Sequence, residues 1–164
     1  GVPVKDQPKL KMPPEVELVN SFSQFEAVFI EADGSKQRPL KAWADFEPVV
    51  LSQTTMTVGI LPLSVLGQRI NTQTIHRLER FLSVFPLKNE QLITPAVLAE
   101  ISAHSQGLFA KAVGTKVLFF SQSDQVEESV VQTLLSALPL SFLERLDRVI
   151  FGSVLQGRGQ ILWK

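Results

Sequence analysis

Apolar residues in this chain fall into two kinds of pattern. Four short runs are nearly continuous in apolar character and rich in β-branched or aromatic residues: Ala27–Glu31, Met56–Leu61, Lys116–Ser121 and Arg148–Val154. Runs of that length and composition predict strands buried in a sheet. Gln160–Trp163, after the turn sequence QGRG, predicts a fifth strand at the sheet edge. Between these runs the apolar positions recur at helical spacing. Glu15–Ser23 predicts a short helix with Val16, Leu18 and Val19 turned inward. Thr74–Phe85 places Ile75, Leu78, Phe81, Leu82 and Phe85 on one face. Thr94-Pro95 is a cap followed by a first-turn proline, opening a helix through Val97, Leu98 and Ile101. Ser123 or Asp124 caps a further helix, whose inward stripe is Val126, Val130, Val131, Leu134, Leu135 and Leu138. Pro139 stops it, and Ser141–Leu146 adds another turn or two.

Strands alternating with helices predict an α/β fold, a mostly parallel sheet flanked by helices with right-handed crossovers. Residues 1–14 hold four prolines and no period, and read as an extended arm or linker. That leaves 15–164 as a single α/β domain. Ligands of such sheets sit beyond the carboxyl ends of the strands. The rule directs attention to Glu31, Asp33 and Gly34 after the first run, and to Ser121, Gln122, Ser123 and Asp124 after the third.

Composition narrows the function classes. At 45% hydrophobic and 20% charged, the 164 residues suit an ordinary globular domain. Sixteen basic and sixteen acidic side chains cancel, so the strongly basic balance of a nucleic-acid binder is missing. There is no cysteine, which excludes disulfides, thiol chemistry and thiolate zinc sites. No apolar run approaches the roughly 20 residues of a membrane span, and no signal peptide is evident, so a cytoplasmic protein is the default expectation. His76 and His104 lack a partner at metal-binding spacing, and no serine sits in a G-x-S-x-G elbow.

The densest stretch chemically is FEAVFIEADGSKQRPLK, Phe25–Lys41. An apolar strand ending in carboxylates is how phosphate-loop nucleotide hydrolases hold magnesium and orient water. Period two puts Glu31 and Asp33 on one side of an extended chain. The competing reading is a plain Asp33-Gly34 turn after a solvated Glu31. Lys36, Arg38 and Lys41 follow at once, either to meet phosphate or an acidic partner, or as a solvated loop. Pro39 stiffens that loop, and Trp43 and Phe46 are expected to anchor its far end. Asp124 either reads a nucleotide base or caps a helix, with Glu127 three residues on. The G-x-x-x-x-G-K-[ST] phosphate loop is absent from the chain. Its nearest approach, GSVLQGRGQ at Gly152–Gln160, reads as a tight turn before an edge strand.

Taken together, VFIEADGSKQRPLKAWADFEPVV is similar to the signature of the YqeC family, selenium-dependent hydroxylase accessory proteins. The matching elements are Glu31-Ala32-Asp33-Gly34, Arg38-Pro39-Leu40-Lys41-Ala42 and Glu47-Pro48-Val49. The likeness continues through Gly59–Gly67, His76, Arg77, Glu79, Arg80 and Phe81, then Ile93-Thr94 and Lys116–Asp124, and covers residues 25–125. The resemblance implies a P-loop-NTPase-like fold and a nucleotide-dependent role in maturing a molybdenum hydroxylase client. Members of the family carry the phosphate loop upstream, so the chain resembles the C-terminal two-thirds of one, incomplete at its N-terminus. Magnesium and a nucleoside triphosphate are then expected in the intact protein, with neither bound tightly by this chain alone. Asp33 would hold the metal and Glu31 would polarise water. Lys36, Arg38 or Lys41 would meet phosphate or the client, and Asp124 would approach the base. Ser121 and Gln122 stand where members carry Asn-Lys or Asn-Gln, against guanine selectivity. The alternative is a non-enzymatic module that docks a partner through the basic loop 36–41.

Overall fold

The computed structural model describes residues 2–3, 5, 10–11 and 13–164. Two compact units divide the chain, Gly1–Glu31 and Ala32–Lys164. Part of the arm expected over 1–14 lies outside the described residues. In the first unit, β1 (Val2–Pro3) pairs antiparallel with β2 (Leu10–Lys11). Helix α1 (Glu15–Ser21) follows and tightens into a 3-10 turn at Phe22–Gln24. Leu18 and Val19 are half-buried, whereas Val16, expected inward, is 71% exposed.

Two sheets build the second unit. The larger has strand order β4–β6–β7–β8, with β4 at Met56–Pro62, β6 at Thr115–Ser121, β7 at Arg148–Ser153 and β8 at Arg158–Trp163. Three strands are parallel and β8 closes the edge antiparallel. The smaller sheet is a parallel pair, β3 (Leu40–Lys41) and β5 (Ile75–His76). The chain is therefore α/β with mixed sheets, parallel only in part.

The Ala27–Glu31 run, expected as a buried strand, is not one. Its backbone is unpaired, and Phe29 is 95% exposed. An apolar run becomes a strand only when a neighbour accepts its hydrogen bonds, and none stands beside it among the described residues. The four other strands form where the apolar runs predicted them. GSVLQGRGQ is the turn into β8, with Gly157 in the left-handed region.

Helices α3 (Pro95–Ala103), α4 (Glu128–Ala137) and α5 (Leu140–Leu143) supply the core that covers one sheet face. Val97, Leu98 and Ile101 of α3 and Val131 and Leu134 of α4 join Leu118, Phe120, Val149 and Phe151 in one cluster. The rings of Phe120 and Phe151 stack at 4.9 Å. As expected, Thr94 caps α3, its hydroxyl accepting from the Val97 amide at 3.3 Å. Three helix expectations need correction. Helix α2 begins at Leu78, not Thr74, because Arg77 adopts a left-handed backbone (φ 60°) that ends β5 and separates it from the helix. Asp124 does not cap α4: a 3-10 turn at Ser123–Gln125 intervenes, and the helix starts after Glu127 without a side-chain cap. The last helix stops at Leu143.

Gly114 shows how tightly the sheet entrance is built. A Cβ there would lie 2.2 Å from the Thr55 carbonyl oxygen, and its φ of +70° favours glycine in any case.

Candidate functional site

The residues singled out by sequence fall into three places. Glu31 is exposed and closes the first unit, while Asp33 is the second residue of the next. Asp33 and Lys41 meet. The Lys41 side chain is only 6% exposed, and its ammonium donates to the Gly34 carbonyl at 2.7 Å and to Glu47 Oε2 at 2.8 Å. Asp33 Oδ1 stands 3.5 Å from the same ammonium. The Trp43 indole N–H donates to Asp33 Oδ2. A buried ammonium needs such partners, since an unpaired one costs several kcal/mol.

Glu47 is the hub of this cluster, and the sequence alone did not single it out for a site. Arg77 grips it as a fork, Nη1 to Oε2 at 2.6 Å and Nη2 to Oε1 at 3.1 Å. The same Nη1 donates to the Ala42 carbonyl at 3.0 Å. Arg77 above all, helped by Lys41, holds the Glu47 carboxyl down to about 2. Arg77 is correspondingly pushed up by Glu47. The parallel pair β3–β5 produces this arrangement by setting Lys41 opposite His76 and leaving Arg77 one residue beyond. His76 titrates below its ordinary value, chiefly through burial and then through the nearby charges of Arg77, Lys36 and Lys41.

Lys36 and Arg38 differ from Lys41. Both are exposed, on a turn where Lys36 (φ 51°) and Gln37 (φ 63°) are left-handed. Arg38 Nε donates to the Thr72 carbonyl at 2.8 Å, tethering the turn to the approach to β5. Trp43 packs partly against the core, whereas Phe46, expected as a second anchor, is 71% exposed. An open cleft of about 270 Å³ lies between the loop 42–48, α2 and the loop 105–111. Asp45 sits at its mouth, paired with Arg80, its carbonyl accepting from Lys111 Nζ at 2.6 Å.

Asp124 stands elsewhere. It lies on the 3-10 turn after β6, at the carboxyl end of the parallel strands. The Ser153 hydroxyl and then the Gln125 amide hold its carboxyl below the usual range. The Gln125 amide donates at 2.8 Å. Ser153 ends β7 and is 1% exposed. The loop carrying Lys111 instead leads into the amino end of β6, a strand of about 20 Å away from Asp124. The structure thus gathers Asp33, Lys41, Glu47 and Arg77 and leaves Asp124 outside that cluster, with partners of its own. Among the described residues no three His, Asp or Glu side chains converge as a metal site, and no helix is long and apolar enough to cross a membrane.

The YqeC family profile, described as "YqeC protein", matches residues 2–79, which include the whole Asp33–Arg77 cluster. Over those residues the chain is similar to the YqeC family. It is 25% identical over 123 residues to the Escherichia coli (strain K12) protein described as "Uncharacterized protein YqeC". The match takes in 74% of this chain and 48% of that relative, so the chain spans about half the relative's length. No solved structure matches the chain. The match gives the Asp33–Arg77 cluster a setting, since the Glu-Ala-Asp-Gly, Arg-Pro-Leu-Lys-Ala and Glu-Pro-Val elements are segments it ties together.

Proposed function

We propose that this chain is part of a nucleotide-dependent accessory protein that matures a selenium-dependent molybdenum hydroxylase, with the phosphate loop supplied by polypeptide outside these residues. The observation that carries the reading is the signature segment itself. Asp33, Lys41 and Glu47 are held in one fixed cluster by Arg77 and Trp43, the preorganisation that a phosphate site requires. Asp124 adds a carboxylate at the end of the sheet where ligands of α/β folds sit. Magnesium enters this reading through Asp33, with phosphate oxygens as its further ligands. Lys41 already neutralises that carboxylate, so a metal arriving alone would meet repulsion.

Calorimetry with magnesium and nucleoside triphosphates tests the proposal, run on this chain and on a longer version carrying a phosphate loop. Magnesium-dependent binding is expected only for the longer protein, weakened by Asp124→Ala. A longer protein that binds no nucleotide with magnesium present overturns it.

A second reading is favoured by the exposure of Lys36 and Arg38 while Lys41 is buried. A fixed turn that presents two cations suits docking onto an acidic partner surface without catalysis. In that case Lys36→Ala and Arg38→Ala weaken capture of the client hydroxylase, Lys36→Ala with thermal stability unchanged. Equal capture by the double variant removes this reading.

A further inference from the structure

The edge of the larger sheet at β4 is the least protected feature of the second unit. Among the described residues β4 pairs with β6 alone, so its other side presents free N–H and C=O groups. Natural edge strands are blunted by charges, prolines within the strand or bulges. The opposite edge has such devices: β8 opens on Arg158, and a register shift marks its pairing with β7 at Val149/Ile150. β4 carries only Pro62, at its last position, and the chain has no charged residue from Pro48 through Gln68.

The side chains on β4 follow the same asymmetry. Thr57, Gly59 and Leu61 face the helices, while Met56 (52% exposed), Val58 (47%) and Ile60 (56%) form an apolar row on the open face. This row is symmetric about Val58. In an antiparallel pair, residues directly opposite one another lie on the same face. A twofold axis at Val58 therefore sets Met56 against Ile60 of a second copy and Val58 against Val58. Met56, Val58 and Ile60 of both copies stay in one row, and Thr57, Gly59 and Leu61 stay on the helix side. Few sequences permit that register, because a shift by one residue would set the exposed row against Thr57 and Gly59. The chain's formal charge of zero adds no long-range repulsion between copies.

We propose that β4 is a twofold interface at which two copies of this chain pair antiparallel, joining their four-stranded sheets into one of eight strands. The occupant is a second copy, since the row complements itself and offers no charge or hydrogen-bonding side chain to select a different partner. The contact is small beside the roughly 1,200–2,000 Å² of stable complexes, so the expected dissociation constant is on the order of 10–100 μM.

Sedimentation equilibrium from about 5 to about 500 μM tests this, the range being set to bracket that constant. The chain is expected to pass from monomer to dimer, with little response to salt because no charges meet. Val58→Lys sets two ammonium groups at the axis and is expected to give a monomer with an unchanged circular dichroism spectrum. Leu155→Lys, at a residue 90% exposed on the turn before β8, is the control and is expected to dimerise like the wild type. Amide exchange over 56–60 should slow as concentration rises, and Met56→Lys offers a second variant should Val58→Lys fold poorly. A wild type that is monomeric throughout overturns the proposal. So does association that Val58→Lys and Met56→Lys leave intact, or an assembly that grows beyond two.

Discussion

At the scale of single residues, Glu47 carries the most consequence. Its carboxylate is 12% exposed and receives both Arg77 and Lys41. Replacing it with Gln keeps the shape and removes the charge, leaving two cations at close range with Asp33 as their remaining carboxylate. Breaking a partly buried pair in this way is expected to cost about 2–3 kcal/mol at neutral pH. The pH dependence follows from the direction of the shift. An unfolded Glu takes up its proton near 4.5, whereas the folded Glu47 stays ionised down to about 2. Its stabilisation is thus complete above about 4.5 and is lost as pH falls toward 2. Urea unfolding of wild type and Glu47→Gln should give curves that converge as acid is added, and a gap that does not narrow at all between pH 4.5 and pH 2.5 would contradict the assignment. The sequence made Asp33 and Lys41 visible as charges after a strand. It did not reveal that they face each other, since Arg77 lies thirty positions beyond Glu47 and their meeting depends on β3 pairing with β5.

At the scale of elements, local chemistry decided some boundaries and tertiary contacts decided others. Thr94-Pro95 was legible because a cap and a first-turn proline act within one turn of helix. Thr94→Ala removes the acceptor for the Val97 amide and should cost about 1 kcal/mol. That corresponds to a fall of a few degrees in midpoint temperature, and an unchanged midpoint would show the cap to be idle. The α2 boundary was not legible. Ile75 keeps the helical spacing of Leu78 and Phe81, yet it sits in β5, because Arg77 turns left-handed to reach Glu47. Ala27–Glu31 failed for a related reason. Its composition suits a strand, but a strand is a property of two chain segments, and periodicity describes only one. Asp124 illustrates the reverse case: its pairing with Glu127 resembled a capping box, while in the fold the carboxylate turns to Ser153 of a neighbouring strand.

At the scale of the whole second unit, the sheet is packed on one face and open on part of the other. The covered face contains Leu118 and Phe120, both fully buried, under α3 and α4. Met56, Val58, Ile60 and Ile161 leave about half of their surfaces to solvent on the other. Buried parallel strands read as continuous apolar runs because both faces are normally covered, which is why Met56–Leu61 looked in sequence like any core strand. The pattern recorded the character of both faces and not the presence of a cover over each. Point substitutions should expose this difference. Leu118→Ala removes a side chain with no solvent exposure and leaves a cavity beneath α3 and α4, at an expected cost of about 3 kcal/mol. Ile60→Ala removes a side chain that is 56% exposed and should cost less than about 1 kcal/mol. Both are measured by urea unfolding at low micromolar protein, where pairing through β4 would not contribute. Losses of equal size would mean that the open face is covered in solution, and the asymmetry of the sheet would have to be abandoned.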